Sequence, residues 1–398
     1  MSGPSLTQVI GGPAIVTYRG GTFFSKSDII LEVAPELFNI DLEAFGKVDE
    51  RVSAQPVKVR FTPAGEWENL SVLYPYAKIP YGDLVTPVRT MGFVLGGVVT
   101  LYNHLLNSGD AVYVKNVGGA LPSPLVAGTV YYVHYYSGDA VTFHTTRALA
   151  LTGASPIAVL NNGTGTNRLV VNNPLTIQTI DSSTGQLLTL FNAAVTKMPD
   201  INGTASATLL EEVEFEAFIV DGTAVSDAGS LYSLIDSPYQ GDTTFDPANL
   251  LTQPIAVSWG VTAPFDSFYT KNGVKISFGL SLQNIDIDGY GILSKRISDL
   301  SVTAKLTPIG VQQSDLLNAL KLQGSGAGIG RSIGSAGHDL NLSAPGFYVR
   351  LYQAGLRGAP EVFSRSKDRI GEMTFVATRT FTNGLPNPLF YVANASIT

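Results

Sequence analysis

The stretch NIDLEAFGKVDERVSAQPVKVRFTPAG, Asn39 to Gly65, recurs without a gap as NIDIDGYGILSKRISDLSVTAKLTPIG, Asn284 to Gly310. The offset is constant at 284 − 39 = 245, and ten of the 27 positions are identical: Asn39, Ile40, Asp41, Gly46, Arg51, Ser53, Val57, Thr62, Pro63 and Gly65. Most other positions are conservative, such as Leu42 with Ile287, Phe45 with Tyr290 and Arg60 with Lys305. A repeat of this kind is a strong constraint. Whatever one copy folds into, the other must fold into as well.

The repeat has a second block. LFNAAVTKMPDINGTASATLLEEVEFEAFI, from Leu190, answers RLYQAGLRGAPEVFSRSKDRIGEMTFVATRTF, from Arg350, at an offset of 350 − 190 = 160. Copy one therefore holds 245 − 160 = 85 extra residues between its two blocks. From Leu101 to Leu175 the chain has two acids (Asp110, Asp139), three bases (Lys115, Arg147, Arg168), no Glu and three of the four histidines. It reads as short strands, DAVYVKNV, GTVYYVHYYS, AVTFHTT, PIAVL and RLVVNN, between Gly, Pro, Ser and Asn clusters. That is a small all-β module set into a loop of the host, where insertions are tolerated.

The host copies are also β-rich. PVKVRFTP and SVTAKLTP alternate and end at Thr-Pro, as a strand leaving a sheet does. EWENLSVLYP predicts a helix with Trp67, Leu70, Leu73 and Tyr74 on one face, stopping at Pro75. Its counterpart QQSDLLNALKLQG groups Leu316, Leu317 and Leu320 and stops at Gly324. The expected fold is mainly β: two tandem sandwich or barrel domains with one α-helix each, plus the inserted all-β domain. The expected boundaries are 1–100 with 176–225 for the first host domain, 101–175 for the insert, and 226–398 for the second domain with its linker.

Composition agrees. Hydrophobic residues make up 44% of the 398, enough for packed cores, while charged residues are only 14% against roughly 25% in average domains. With no cysteine, disulfides, thiol nucleophiles and cysteine metal sites are excluded. No signal peptide or apolar run of spanning length is evident, so membrane insertion is not expected. A net charge of −7 argues against gripping nucleic acid through a basic surface.

Short motifs add little chemistry. GRSIG around Ser332 matches G-x-S-x-G, but its glycine-rich flanks lack the strand and helix that a nucleophile elbow needs. Gly324, Gly326, Gly328 and Gly330 fail G-x-G-x-x-G because residue 329 is Ile. Asp286 and Asp288, with Asp41 and Glu43, lack a full calcium-loop spacing. No enzyme activity, metal or cofactor is expected. The conspicuous feature is LLEEVEFEAFIV, with Glu212, Glu214 and Glu216 on one side of a strand and Val213, Phe215 and Ala217 on the other. In copy two this becomes Glu372, Thr374, Val376 and Thr378 opposite Met373, Phe375 and Ala377. The reading is either an ordinary wetted sheet face or a negatively charged wall.

VRFTPAGEWENLSVLYPYAKIPYGD, followed later by FNAAVTKMPDI, resembles the major tail tube proteins of long-tailed, non-contractile bacteriophages. LPSPLVAGTVYYVHYYSGDAVTFHTT looks like a small β module that recurs in phage structural proteins. The resemblance implies subunits joined into rings by sheet pairing, with a long loop and the terminal arms locking successive rings. A chain with two tube domains implies three subunits per pseudo-hexameric ring, with the insert as an outer decoration. It further implies a virion protein assembled in the host cytoplasm. Its partners would be itself, a tape measure protein, tail-end proteins, and DNA passing non-specifically through the lumen. By position, the ring-stacking loops would carry Asn39, Asp41, Glu43, Asp49 and Arg51, and Asn284, Asp286, Asp288, Lys295 and Arg296. Glu212, Glu214, Glu216 and Glu372 would line the lumen, repelling phosphate. Two rivals remain. One is an adhesin binding host glycans through an aromatic platform of Tyr131, Tyr132, Tyr135 and Tyr136; the other is a hydrolase built on Ser332.

Overall fold

The computed structural model describes residues 6–64 (except 12 and 44), 70–77, 82–84, 89–203 (except 95, 102, 103, 105, 138, 172 and 182), 208–218, 231–239, 255–260, 265, 267–287, 291–309, 338–357, 370–382 and 385–393. Its sheets are antiparallel throughout, and the mainly β reading of the sequence holds. In copy one, a five-stranded sheet runs in the order Leu6–Ile10, Ile29–Val33, Val57–Phe61, Val213–Ala217, Ala193–Lys197. A second sheet runs Tyr232–Asp236, Gln186–Leu190, Leu175–Thr179, Ala14–Tyr18, Gly21–Phe24. The alternating apolar residues of both sheets, among them Val16, Leu31, Val59, Ile177 and Phe215, share one buried core. Phe215 is held there between the rings of Tyr18, edge-on at 4.9 Å, and Phe61, stacked at 5.9 Å.

Copy two repeats the central strands of this plan in the same order. Its sheet runs Thr208–Leu210, Ile201–Gly203, Tyr269–Ile287, Gly291–Ile309, Met373–Val376, Phe347–Leu356, His338–Ala344, Ala256–Trp259. The register is the same as well. Val33 faces Val57, and their counterparts in the repeat, Phe278 and Val302, face each other too. The hairpin of copy one, Glu36–Leu42 with Gly46–Ala54, has bulges between Glu36 and Leu37 and between Ile40 and Asp41. The hairpin of copy two has them between Ser281 and Leu282 and between Ile285 and Asp286, the same two places at offset 245. Likewise Val213 faces Phe61 and, at offsets 160 and 245, Met373 faces Leu306. Bulges re-aim the side chains beyond them, so their coincidence makes the two hairpins equivalent in register as well as in text.

The copies differ where copy one has Pro35 and Pro56. Their counterparts are Leu280 and Ser301 (35 + 245 and 56 + 245). Proline cannot donate to a ladder. Copy one's strands therefore stop at Val33 and restart at Glu36, whereas copy two's run unbroken for 19 residues each.

Several sequence expectations need correction. The helix foreseen over EWENLSVLYP is, in its described part, two 3-10 turns, Leu70–Leu73 and Pro75–Ala77. Pro75 ends the first turn and opens the second, burying Leu73, Tyr74 and Tyr76. Trp67 and the copy-two segment with Leu316, Leu317 and Leu320 lie outside the described residues. The chain also crosses the expected border at 225/226 both ways. Tyr232–Asp236 pairs with Gln186–Leu190 of copy one, while Ile201–Gly203 and Thr208–Leu210 join the sheet of copy two.

The insert has its own sheet of seven strands, in the order Gly92–Val94, Val98–Thr100, Ala140–His144, Val130–Ser137, Ala111–Val117, Thr166–Val171, Arg89–Thr90. Its strands thus begin at Arg89, before residue 101, and Leu175 already belongs to the host sheet. Its core, with Val99, Val112, Val133, Phe143 and Leu169, is separate from the host core. The module is not wholly β. A six-residue helix, Arg147–Thr152, is capped by the Thr146 side chain and closed by Gly153 at φ 71°.

Inside the module His144 is fully buried, bonded through Nδ1 to the Ala154 carbonyl at 2.9 Å and through Nε2 to the Thr142 hydroxyl at 2.9 Å. Burial lowers its pKa, a trend the Ala154 bond opposes and His134 reinforces. The unfolded chain therefore binds a proton that the folded module refuses. Stability is full above the unfolded histidine value, about 6.5, and declines as pH falls below it. Calorimetry between pH 7 and 5 should show the module's melting temperature falling, and His144→Gln should flatten that slope. An unchanged slope would remove His144 as its cause.

Candidate functional site

The strand Val213–Ala217 places its residues as the alternation requires. Val213 and Phe215 are buried in the core, as are Met373 and Phe375 in copy two, and the glutamates take the other side. Of the two readings of that side, its paired charges fit the ordinary wetted face better than a negatively charged wall. Glu212 pairs with Lys197 at 3.4 Å, Glu214 with Lys58 at 3.2 Å, Glu32 with Arg60 at 3.4 Å, and Glu372 with Lys305 at 3.7 Å. Cross-strand register sets Glu214 opposite Arg60 and Glu216 opposite Lys58, the arrangement that opposite charges favour. The face is a ladder of alternating sign. Glu216 departs furthest from expectation: it is 1% exposed, so its carboxylate cannot face a water-filled channel.

Glu216 is instead part of the joint between the copies. Lys295 of the second hairpin meets it at 2.5 Å, both side chains largely withdrawn from water. Beside them the short strand Gly82–Asp83 of copy one pairs with Arg296 and Ile297 of copy two, and the Leu84 N–H donates to the Lys295 carbonyl at 2.6 Å. Ile297 is buried in the process. On the opposite edge, Ile201–Gly203 pairs with Val274–Ile276. There Glu211 accepts from Lys275 at 2.9 Å and from the Asn202 side-chain amide at 2.8 Å, and these bonds, Lys275 first, hold the Glu211 carboxyl below its usual range. The Phe278 N–H donates to Asp200 at 3.0 Å. The ring of Tyr74 lies 5.0 Å from that of Phe278 and 6.4 Å from that of Phe390. Copy one thus grips copy two by both edges of its hairpin.

The expected stacking residues are divided by this joint. Asp41, Glu43, Asp49 and Arg51 are exposed on the first hairpin, with Asn39 half-buried. On the second, Asn284 and Arg296 are exposed, whereas Lys295 is held by Glu216 and is not part of a free loop. Asp288 and the side chain of Asp286 lie outside the described residues. A cleft of about 380 Å³ separates the two hairpins, lined by Pro35, Leu37, Asn284, Ile292 and Lys295 among others. The first hairpin also exposes apolar side chains: Phe45 at 81%, Val52 at 59% and Val48 at 55%.

A second joint, not anticipated from the sequence, fixes the module to its host. Arg19, in the turn after Ala14–Tyr18, donates to Asp110 at 3.2 Å; the Asp110 side chain is only 3% exposed and also accepts from the Asn107 N–H at 2.9 Å. Arg147 lies over the adjoining turns, so close that a β-carbon on Gly20 (φ +72°) would come within 2.3 Å of its Nε. Burial pulls the Arg19 pKa down, but Asp110 and the tyrosines Tyr18 and Tyr76 outweigh it and leave it raised. The available signal was Asp110 itself, one of two acids in a charge-poor segment.

The module's histidines serve its fold: His104 bonds the Ser137 carbonyl at 2.8 Å and His134 the Ala150 carbonyl at 2.8 Å. Of its tyrosines, Tyr131 is buried against Phe143 and Tyr132 is half-buried, while Tyr135 and Tyr136 are exposed at 47% and 64%. Ser332 and the glycines around it lie outside the described residues. Among the described residues no group of three or more His, Cys, Asp or Glu could hold a metal ion, and no helix is long and apolar enough to cross a membrane. No family model matches the sequence, and no curated protein matches it significantly.

The joint has a measurable energy. Glu216→Ala strands Lys295 in a buried site and should cost about 3–5 kcal/mol. Glu212→Ala, which loses only a partly exposed pair, should cost about 1 kcal/mol or less. Urea unfolding of both variants checks the contrast. Equal losses would mean that the Glu216–Lys295 pair does not hold the copies together.

Proposed function

We propose that this chain is a structural subunit that closes into rings with copies of itself, and that the rings stack into a tail tube of the long-tailed, non-contractile phage type. The observation that carries the reading is the bulge-for-bulge equivalence of two covalently joined copies, with copy one bound to the hairpin of copy two. A chain so built contains one ring interface already made. Repeating the joint head to tail from chain to chain gives a cyclic assembly, and three chains supply six wall units. The first hairpin, with its exposed polar and apolar residues, suits a contact between successive rings.

In this reading the partners are further copies of the chain, a tape measure protein, tail-end proteins and DNA in transit. The product is a virion component assembled in the host cytoplasm, with no catalytic role. The wetted side bearing Glu212, Glu214 and Glu372 is the candidate lumen wall. Its glutamates alternate with Lys197, Lys58 and Lys305, so DNA phosphates meet no surplus of positive charge and release few counterions. Passage without adhesion follows from paired charge rather than from an acidic wall. The module, with a core of its own and a pinned orientation, serves as the outer decoration.

An adhesin reading has one specific support, the exposed rings of Tyr135 and Tyr136, which offer a glycan two apolar faces. It leaves the duplication without a purpose. Electron microscopy of the purified chain separates the two. Hollow tubes with three knobs around each near-hexagonal ring are expected; discrete particles at every concentration, together with glycan binding lost in Tyr136→Ala, would favour the adhesin.

A further inference from the structure

Three parts of the chain meet beside the joint that holds the module. A cleft of about 300 Å³ lies between the module, the 3-10 turns of copy one and the strand Phe390–Ala393 of copy two. Among the described residues lining it, three carry charge: Arg19, Arg147 and Asp110. Two guanidiniums therefore share one carboxylate, and that carboxylate is already taken. Its oxygens lie 3.2 Å from Nε and Nη2 of Arg19, and one of them also accepts from the Asn107 N–H. Arg147, among the described residues, has no hydrogen bond or ion pair, and its Nε is shut off from water without an acceptor. Withdrawal from water lowers its pKa, with Asp110 opposing from a distance. A guanidinium keeps its charge regardless, and a charge so placed calls for a counter-charge.

The seat of Arg147 is built into the backbone. Gly20 at φ +72° and Gly109 at φ +91° form two turns against it, a conformation that residues with side chains rarely adopt. A β-carbon on Gly20 would collide with Cδ, Nε and Cζ of Arg147, and one on Gly109 would come within 3.2 Å of Nε. The turns thus cradle the stem and Nε, which leaves the terminal nitrogens of the fork for a partner. The remaining walls are largely apolar, with Val72 and Pro75 from copy one, Val392 from copy two and Leu151 from the module. Leu151 is 48% exposed there.

We infer that this cleft binds a small organic monocarboxylate, with its carboxylate on Arg147 and its apolar body against Leu151, Val72 and Val392. Charge selects the class. One further carboxylate neutralises the set of two arginines and one aspartate, whereas a phosphate dianion would leave it negative and give the apolar walls nothing to cover. The planar fork of arginine matches a carboxylate's two oxygens. A ligand held there touches the module and both copies at once, so it braces the module against its host. The inference is independent of the ring and of the tube.

Titration calorimetry of the full chain at constant ionic strength tests it, with benzoate as the probe. Benzamide lacks the charge, acetate lacks the apolar body, and inorganic phosphate differs in both. Benzoate should bind about tenfold or more tightly than any of the three, as expected from one charged hydrogen-bonded pair together with apolar burial. Arg147→Gln should weaken benzoate by about tenfold or more while circular dichroism stays unchanged. Leu151→Ser alters only an exposed side chain, so the fold is kept; it should weaken benzoate several-fold and leave acetate as it was. Benzamide binding as tightly as benzoate would show that the cleft does not read charge, and tighter binding of phosphate would give the site to another class of anion. Either result overturns the inference. So does benzoate affinity that survives both substitutions, which would place the ligand elsewhere, or the absence of benzoate binding altogether.

Discussion

The backbone at a sheet edge carries N–H and C=O groups that must be paired, covered or left to water, and this molecule is organised around where its edges go. Copy two's hairpin is gripped on both sides by segments of copy one, Ile201–Gly203 on one edge and Gly82–Asp83 on the other. Both segments are very short, yet each adds a strand to a sheet whose long members already exist. The joint thus costs little ordering beyond what the sheet has imposed. The buried Glu216–Lys295 pair then fixes the register, since a slip of one position would leave both charges unmatched.

Electrostatics elsewhere follow the same pattern. A chain with few charges places many of those on its host sheets in cross-strand pairs, so the wetted faces are polar without a strong field. The same device at Arg19 and Asp110 orients the module, which packs its own core and needs no apolar contact with the host core. The module sits between two blocks of a repeat with its ends held together, since its first and last strands, Arg89–Thr90 and Thr166–Val171, pair with one another.

Much of this was legible in the sequence. The gapless offset between the copies already implied a shared register, and the alternation around Phe215 identified the buried face. The change of offset located the guest. Other features were hidden because they depend on distant partners. The three glutamates were visible as a set, but their lysines were not: Lys197 ends a strand separated from them by two short strands, and Lys58 lies on the far side of the whole module in sequence. The sign of the face was therefore not a local property. Gly82–Asp83 is too short to register as a strand by pattern; only the long hairpin beside it makes it one. The helix reading of EWENLSVLYP used a real apolar spacing, but Pro75 removes a donor. The described turns there close with the tighter bonds of a 3-10 helix, Tyr74 to Ser71 and Ala77 to Tyr74.

In the proposed ring, each chain contributes two equivalent wall units. Native mass spectrometry of rings released from assembled material measures it directly. The account predicts a ring with three times the 42.2 kDa mass of the single chain. A ring with six times that mass would mean that the two copies do not alternate around one wall, and would contradict it.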